Sequence, residues 1–107
     1  MKYNINDILF FIPSYSIKIK HCRICQVVKL LEKTNRYLVI VQDIYAPYHY
    51  IKSFVKECDL DIIENSFVVN EMNLDNLRIN IDIKDVMKLK YYDLYSEIEL
   101  IKKMENL

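Results

Sequence analysis

The sequence predicts an α+β fold in which antiparallel strands come first and a helical segment follows. Three observations carry this expectation. Two apolar runs rich in β-branched and aromatic residues, Ile24–Leu31 and Tyr37–Val41, flank the polar stretch Glu32-Lys33-Thr34-Asn35-Arg36. That is the pattern of a β-hairpin whose connection contains Asn35, a residue that tolerates the left-handed conformation. Apolar and polar residues alternate again between Leu77 and Ile83, and beyond Asp82 the apolar spacing lengthens from two to three and four. These are the side-chain periods of strand and helix.

Taken in order, Tyr3, Ile5 and the run Ile8–Ile12 form a first strand, stopped by Pro13-Ser14. Ile17 and Ile19 begin a second. Its apolar parity changes before Ile24, so a β-bulge is expected near His21–Arg23. The hairpin follows. Pro47 breaks any ladder through Tyr45–Tyr50, which reads as a loop or an edge. Ile51–Val55 is a fourth strand. The short runs Leu60–Ile63 and Phe67–Val69 flank a turn at Glu64-Asn65-Ser66, and Asn73–Asn76 is a second turn. Leu77, Ile79, Ile81 and Ile83 then make a half-buried strand. Val86, Met87 and Lys90-Tyr91 fall at helical spacing, as do Leu94, Ile98, Ile101 and Met104. Asp93 is placed to cap that last helix, and Lys102 and Lys103 suit the dipole at its end.

The chain has 107 residues and a 52% apolar fraction, enough for one packed core without disulfides or metal. It contains no glycine. Every positive-φ position must therefore fall to Asn, Asp or a strained residue, and glycine-rich phosphate loops and dinucleotide fingerprints are excluded. The polar opening and a five-residue apolar run at Ile8–Ile12 argue against a signal core or a membrane span. Three cysteines without a secretion signal read as reduced thiols in a cytoplasmic protein. The formal net charge is zero, but residues 1–56 carry nine Lys and Arg against three acids, and residues 57–107 carry six against twelve. That split predicts two faces of opposite sign, or one half neutralising the other.

Residues 3–60 resemble a small SH3-like barrel of the KOW/Tudor kind. The residues that carry the resemblance are Ile5-Asn6-Asp7-Ile8-Leu9-Phe10, with Asn6 where glycine is usual, then the long second strand, polar turn and Tyr-initiated third strand of Val27–Val41. Val55-Lys56-Glu57-Cys58-Asp59-Leu60 is similar to the closing strand. The resemblance implies a barrel over residues 1–63, with residues 64–107 as a strand-plus-helix extension packed on it in one compact unit. Such barrels are carried by small proteins of phages and bacteria, and they bind proteins, nucleic acids or modified peptides. The resemblance therefore implies a binding module and no reaction.

Three sets of residues are candidates for contact. Tyr45, Tyr48, His49 and Tyr50 offer large, low-entropy, polar-tipped area, and the acidic stretch with Glu57, Asp59, Asp61 and Glu64 could mimic a nucleic-acid backbone or dock on a basic groove. Together they form the expected partner surface. Lys18, Lys20, Arg23, Lys29, Lys33 and Arg36 form a basic hairpin set that would suit phosphates in an alternative nucleic-acid reading. Each set also has a plainer reading, as barrel packing or as solvated faces. Cys22 and Cys25, with Cys58 and either His49 or His21, could hold zinc in a third reading. Cys22 and Cys25 lie three apart in a strand-like run, however, where their sulfurs diverge and the thiols behave as small hydrophobes. Tyr91, Tyr92 and Tyr95 are expected to dock the helix. No nucleophile elbow or oriented histidine stands out.

The expectation is a non-catalytic interaction protein that needs no cofactor and no small-molecule substrate. It would occupy a partner protein's surface, in the manner of a phage or mobile-element inhibitor of a host defence nuclease (anti-CRISPR-like). The partner would then be a nucleic-acid-processing enzyme. The alternatives are direct nucleic-acid binding and a zinc-stabilised adaptor.

Overall fold

A computed structural model of the chain describes residues 1–12, 23–42, 49–62 and 78–105. Five strands, β1 (Ile8–Phe11), β2 (Arg23–Leu31), β3 (Arg36–Gln42), β4 (Tyr50–Lys56) and β5 (Leu60–Ile62), form one sheet in the order β4-β3-β2-β1-β5. Every pairing is antiparallel. No ladder among the described residues joins β4 to β5, so the sheet is open. Among the described residues two helices follow, α1 (Ile83–Lys88) and α2 (Leu94–Glu105).

The hairpin lies where the apolar runs place it. Its turn is a 3-10 turn over Glu32–Thr34, closed by Asn35 at φ 52°. The second non-glycine residue at positive φ is Asn6, at φ 74°. There the Asn4–Asp7 turn delivers the chain to β1, with Asn6 N donating to Val27 O and Val27 N to Asp7 O. In a chain without glycine, asparagine fills both left-handed positions among the described residues at the smallest steric cost.

The register of β2 on β3 slips between Val27 and Lys29. The bulge is thus inside β2. It moves the buried parity from Cys25 and Val27 to Leu30 on the same face. His21 and Cys22, where a bulge was expected, lie outside the described residues. So do the expected strand start at Ile17 and Ile19, the apolar run Phe67–Val69 and the two turns at 64–66 and 73–76.

Alternation along the strands gives the sheet two apolar faces, and the chain covers both. On the first, Tyr3, Leu9, Phe11, Cys25, Val27, Tyr37, Val39, Val41, Ile51, Val55 and Leu60 form a core under α2, which contributes Leu94, fully buried. On the second, Leu38 and Ile40 pack with Val86 of α1 and with half-buried Val28, Phe54, Ile79, Ile81 and Leu89.

The expected strand over Leu77–Ile83 does not form in its described part. Residues 78–82 belong to no ladder, and Ile83 opens α1 with its side chain exposed. The alternation itself is real, since Ile79 and Ile81 are half-buried while Arg78, Asn80 and Asp82 face solvent. What replaces a strand partner is a side chain. Gln26, 3% exposed, donates from Nε2 to Ile79 O at 2.9 Å and accepts from Ile79 N at 2.7 Å. One glutamine thereby satisfies both backbone groups that a ladder would have paired.

Asp82 caps α1 by accepting from Lys84 N, and Asp93 caps α2 by accepting from Tyr95 N and Ser96 Oγ. Between the helices the chain rounds the outer edge of β4. Lys52 N donates to Lys90 O at 3.1 Å and Tyr92 N donates to Lys52 O at 3.0 Å, a one-residue parallel bridge of Lys52 with Tyr91. This strap joins the helix on one face to the helix on the other. No helix among the described residues is long and apolar enough to cross a membrane.

Candidate functional site

The strap fixes the direction of the β4 backbone groups. In an antiparallel pair, alternate residues turn both N–H and C=O toward the neighbour, and the others turn them away. Lys52 turns outward to the strap, so Phe54 and Lys56 turn outward too. Lys56 N is taken by the Tyr95 hydroxyl at 2.9 Å. The Phe54 peptide groups lie between these two points, and Phe54 helps to line a cleft of about 670 Å³ with Arg36, Lys56, Tyr91, Asp93, Tyr95 and Glu99.

The cleft has an aromatic wall. The Phe54 and Tyr91 rings lie 5.7 Å apart at 39°, and Tyr91 is 51% exposed. Tyr95 forms its base. Its ring meets Phe11 edge-on at 5.1 Å, and its hydroxyl donates to Asp59 Oδ2 at 2.8 Å. Burial, and then the hydrogen bond to Asp59, hold the Tyr95 phenol well above its ordinary value, so it is a neutral donor. The Lys56 ammonium lies 5.9 Å over the Tyr95 ring centre. Arg36 stands directly opposite Lys56 in the ladder. Two cations are thus side by side in the lining of the cleft.

Tyr92 and Tyr95 dock α2 against the core, as expected. Tyr91 does not, because the bridge to Lys52 turns it outward over Phe54. Of the expected partner surface, His49 and Tyr50 are exposed at the start of β4, and Tyr45, Tyr48 and Glu64 lie outside the described residues. Glu57 and Asp59 work within the fold. Glu57 accepts from Lys2 N at 2.6 Å and from the Tyr37 hydroxyl at 2.5 Å. Those bonds, Tyr37 first, hold its carboxyl below the usual range, and burial followed by the same bond raises the Tyr37 phenol. Asp59 is 2% exposed, and its backbone oxygen receives Ile12 N. Asp61, half-buried, accepts from Ile62 N.

Of the basic hairpin set, Lys18 and Lys20 lie outside the described residues, and Lys29 and Lys33 are exposed. Arg23 is drawn inward. It pairs with Glu97 of α2 at 2.7 Å, with side chains 11% and 5% exposed, and also donates to Gln42 O. Arg36 lines the cleft. Of the candidate zinc ligands, Cys22 lies outside the described residues, His49 and Cys58 are exposed, and Cys25 is buried between Leu9 and Val41 of the adjoining strands. Burial pushes the Cys25 thiol up to about 12, which keeps it protonated and a poor ligand. Among the described residues no group of three or more His, Cys, Asp or Glu could hold a metal ion.

Phe54, Lys56, Tyr91 and Glu99 were not singled out as contact residues in the sequence. Alternation along Ile51–Val55 puts Phe54 opposite the buried Ile51 and Val55, but its place on an edge depends on the strand order. No protein-family model matches the chain, and neither a curated protein nor a solved structure matches it.

Proposed function

We propose that this chain is a non-catalytic interaction module that occupies a partner protein's surface through the flank of β4. The observation that carries the reading is the aromatic and cationic cleft at that edge. Both faces of the sheet are covered, yet Tyr91 is held outward over Phe54 beside two cations, an arrangement suited to contact. Exposed His49 and Tyr50 extend the same flank at the start of β4.

The barrel resemblance belongs to this reading. The strands β1 and β5, first and last in chain order among the described residues, are paired, and a 3-10 turn over Glu57–Asp59 leads into β5, an arrangement compatible with a small barrel left open at one seam. Inhibition of a host defence nuclease is the narrower form of the proposal. Its support is the division of charge between the two halves of the chain.

The test is capture of partners from host lysate by the tagged chain, with and without nuclease, beside a Tyr91→Ser variant. A protein partner that survives nuclease and is lost with Tyr91→Ser is the expected result. Partners that disappear with nuclease would move the reading to nucleic-acid binding through Lys29, Lys33 and their neighbours. Capture indifferent to Tyr91→Ser would remove the β4 flank from it.

A further inference from the structure

We infer that the cleft beside β4 receives an extended, acidic peptide segment of the partner, which adds to the open part of the β4 edge and seats a carboxylate between Arg36 and Lys56. The inference rests on the interaction reading above and names the chemistry of what it holds.

Three observations converge on a peptide. The first is the backbone. On the parity set by Lys52, the N–H and C=O of Phe54 point outward from the sheet at an edge whose residues line the cleft, while the strap takes the groups before them and Tyr95 takes the N–H after them. An edge peptide presenting one donor and one acceptor is complementary to another extended backbone, and strand addition uses such pairs for affinity. The second is the charge. Arg36 and Lys56 are directly opposite in the ladder, where β-carbons lie about 4.5–5.5 Å apart and like charges destabilise. Among the described residues neither makes an ion pair. Asp93, the nearest carboxylate in sequence to the aromatic wall, already accepts from Tyr95 N and Ser96 Oγ. A carboxylate arriving from outside would relieve the repulsion with charge-assisted hydrogen bonds, and the guanidinium of Arg36 suits it in two-point geometry. The third is the wall of Phe54 and Tyr91, which offers the neighbouring apolar or aromatic side chain a face to lie on.

A single-stranded nucleic acid would also find an aromatic wall and two cations. The acidic groups disfavour it. Asp93 and Glu99 line the same cleft and would face a run of phosphates, whereas a single carboxylate need meet only the adjacent Arg36 and Lys56. The outward peptide groups of Phe54 have no counterpart in a phosphate backbone.

The experiment is a titration of the isotope-labelled full chain, followed at its backbone amides, with a mixture of capped heptapeptides. These carry a central aspartate and six flanking positions drawn from Thr, Val and Tyr. The parallel probes are the same mixture with central lysine and a ten-residue oligothymidine. The expected result is a saturable shift at the amides of Phe54, Lys56 and Tyr91, with the lysine peptides about tenfold weaker, as the loss of one charge-assisted contact predicts. Pairing at the edge makes a further demand. N-methylation at alternate residues of the aspartate peptides abolishes the shift in one phase and spares it in the other, since successive N–H groups of a strand point to opposite sides. Arg36→Gln and Lys56→Gln should each weaken the aspartate peptides while leaving the chain folded by its amide spectrum.

No saturable shift, equal response to aspartate and lysine peptides, or indifference to N-methylation would each overturn the inference. So would oligothymidine shifting the same amides more strongly. These failures are separate from failure of the interaction reading. Partner capture lost with Tyr91→Ser but unaffected by Lys56→Gln would keep the contact surface and discard the acidic peptide. Capture unaffected by either variant would discard both.

Discussion

The two faces of the sheet are made by the same strands, yet they hold their covering segments by different chemistry. On the face under α2, charge and hydroxyl groups do the fastening. Arg23 reaches Glu97, Tyr95 reaches Asp59 and the Lys56 amide, and Tyr37 joins Tyr3 N to Glu57. On the opposite face a neutral amide, Gln26, anchors Ile79, the cations of Lys52 and Arg78 donate to the backbone oxygens of Met87 and Asn6, and the rest is a small apolar cluster around Leu38, Ile40 and Val86. The first face should therefore respond to pH and to loss of single charges. The second, whose charged groups meet only backbone oxygens, should respond to loss of shape and hydrogen bonding and not to pH between 5 and 8.

The largest effect should come from Arg23→Ala. It leaves Glu97, 5% exposed, without its cation, and removing one member of a buried pair costs about 3–5 kcal/mol. Denaturant unfolding of this variant beside the double replacement Arg23→Met with Glu97→Leu separates the two parts of that cost. The double replacement should recover most of it, because no charge is then stranded. Equal losses in the two would mean that the pair is solvated and that the contrast between the faces is false.

Next is Gln26→Leu, which preserves bulk but strands the N–H and C=O of Ile79 at a cost of about 1–3 kcal/mol. Its loss of stability should be the same at pH 5 and pH 8, since no titrating group is involved. A pH-dependent loss would place a charge on this face that the contacts do not show.

Smaller, and again on the first face, is the alkaline limb. Cys25 ordinarily ionises near 9.0, and burial raises it to about 12. The folded chain then holds a proton that the unfolded chain releases. Stability is full below about pH 9 and falls as pH rises through this window, by at most about 1.4 kcal/mol per pH unit. Cys25→Val should make the limb shallower without removing it, because Tyr37 and Tyr95 are raised as well.

The smallest effect belongs to Glu57. Its folded-state value is depressed, so its contribution is present above the usual carboxylate range and is lost as pH falls through that depressed value. Glu57→Gln should bring acid unfolding closer to pH-independent at its upper end. An unchanged acid limb would show that Glu57 titrates alike in the folded and unfolded chain, and would remove it from the acid response.

Much of the sheet was legible because its signals are local. The run Tyr37–Val41 is buried throughout, so it reads as a strand whatever surrounds it, and Asn35 announces its own turn by tolerating positive φ. Asp93 was legible as a cap for the same reason. The segment 78–82 was misread because alternation reports which side chains are buried and says nothing about what the backbone pairs with. Ile79 and Ile81 face the core, but their partner is a glutamine 53 residues away. The cleft was less legible still. Tyr50 and His49 stand out by composition beside Pro47, whereas Phe54 and Tyr91 become neighbours only once β4 is an edge and residues 90–92 return to it. Strand order and return path are non-local facts.

That return has a kinetic meaning. The Lys52 amide hydrogen bonds to Lys90, 38 positions further along the chain, while its neighbours on β4 bond within the sheet. Its hydrogen exchange consequently reports when the C-terminal segment lets go, and exchange at Val39 or Val55 reports when the strands do. If docking of this segment is the last step of folding, Lys52 exchanges through a partial opening that leaves the five strands intact, and one amide serves as a clock for assembly of the two helices across the sheet.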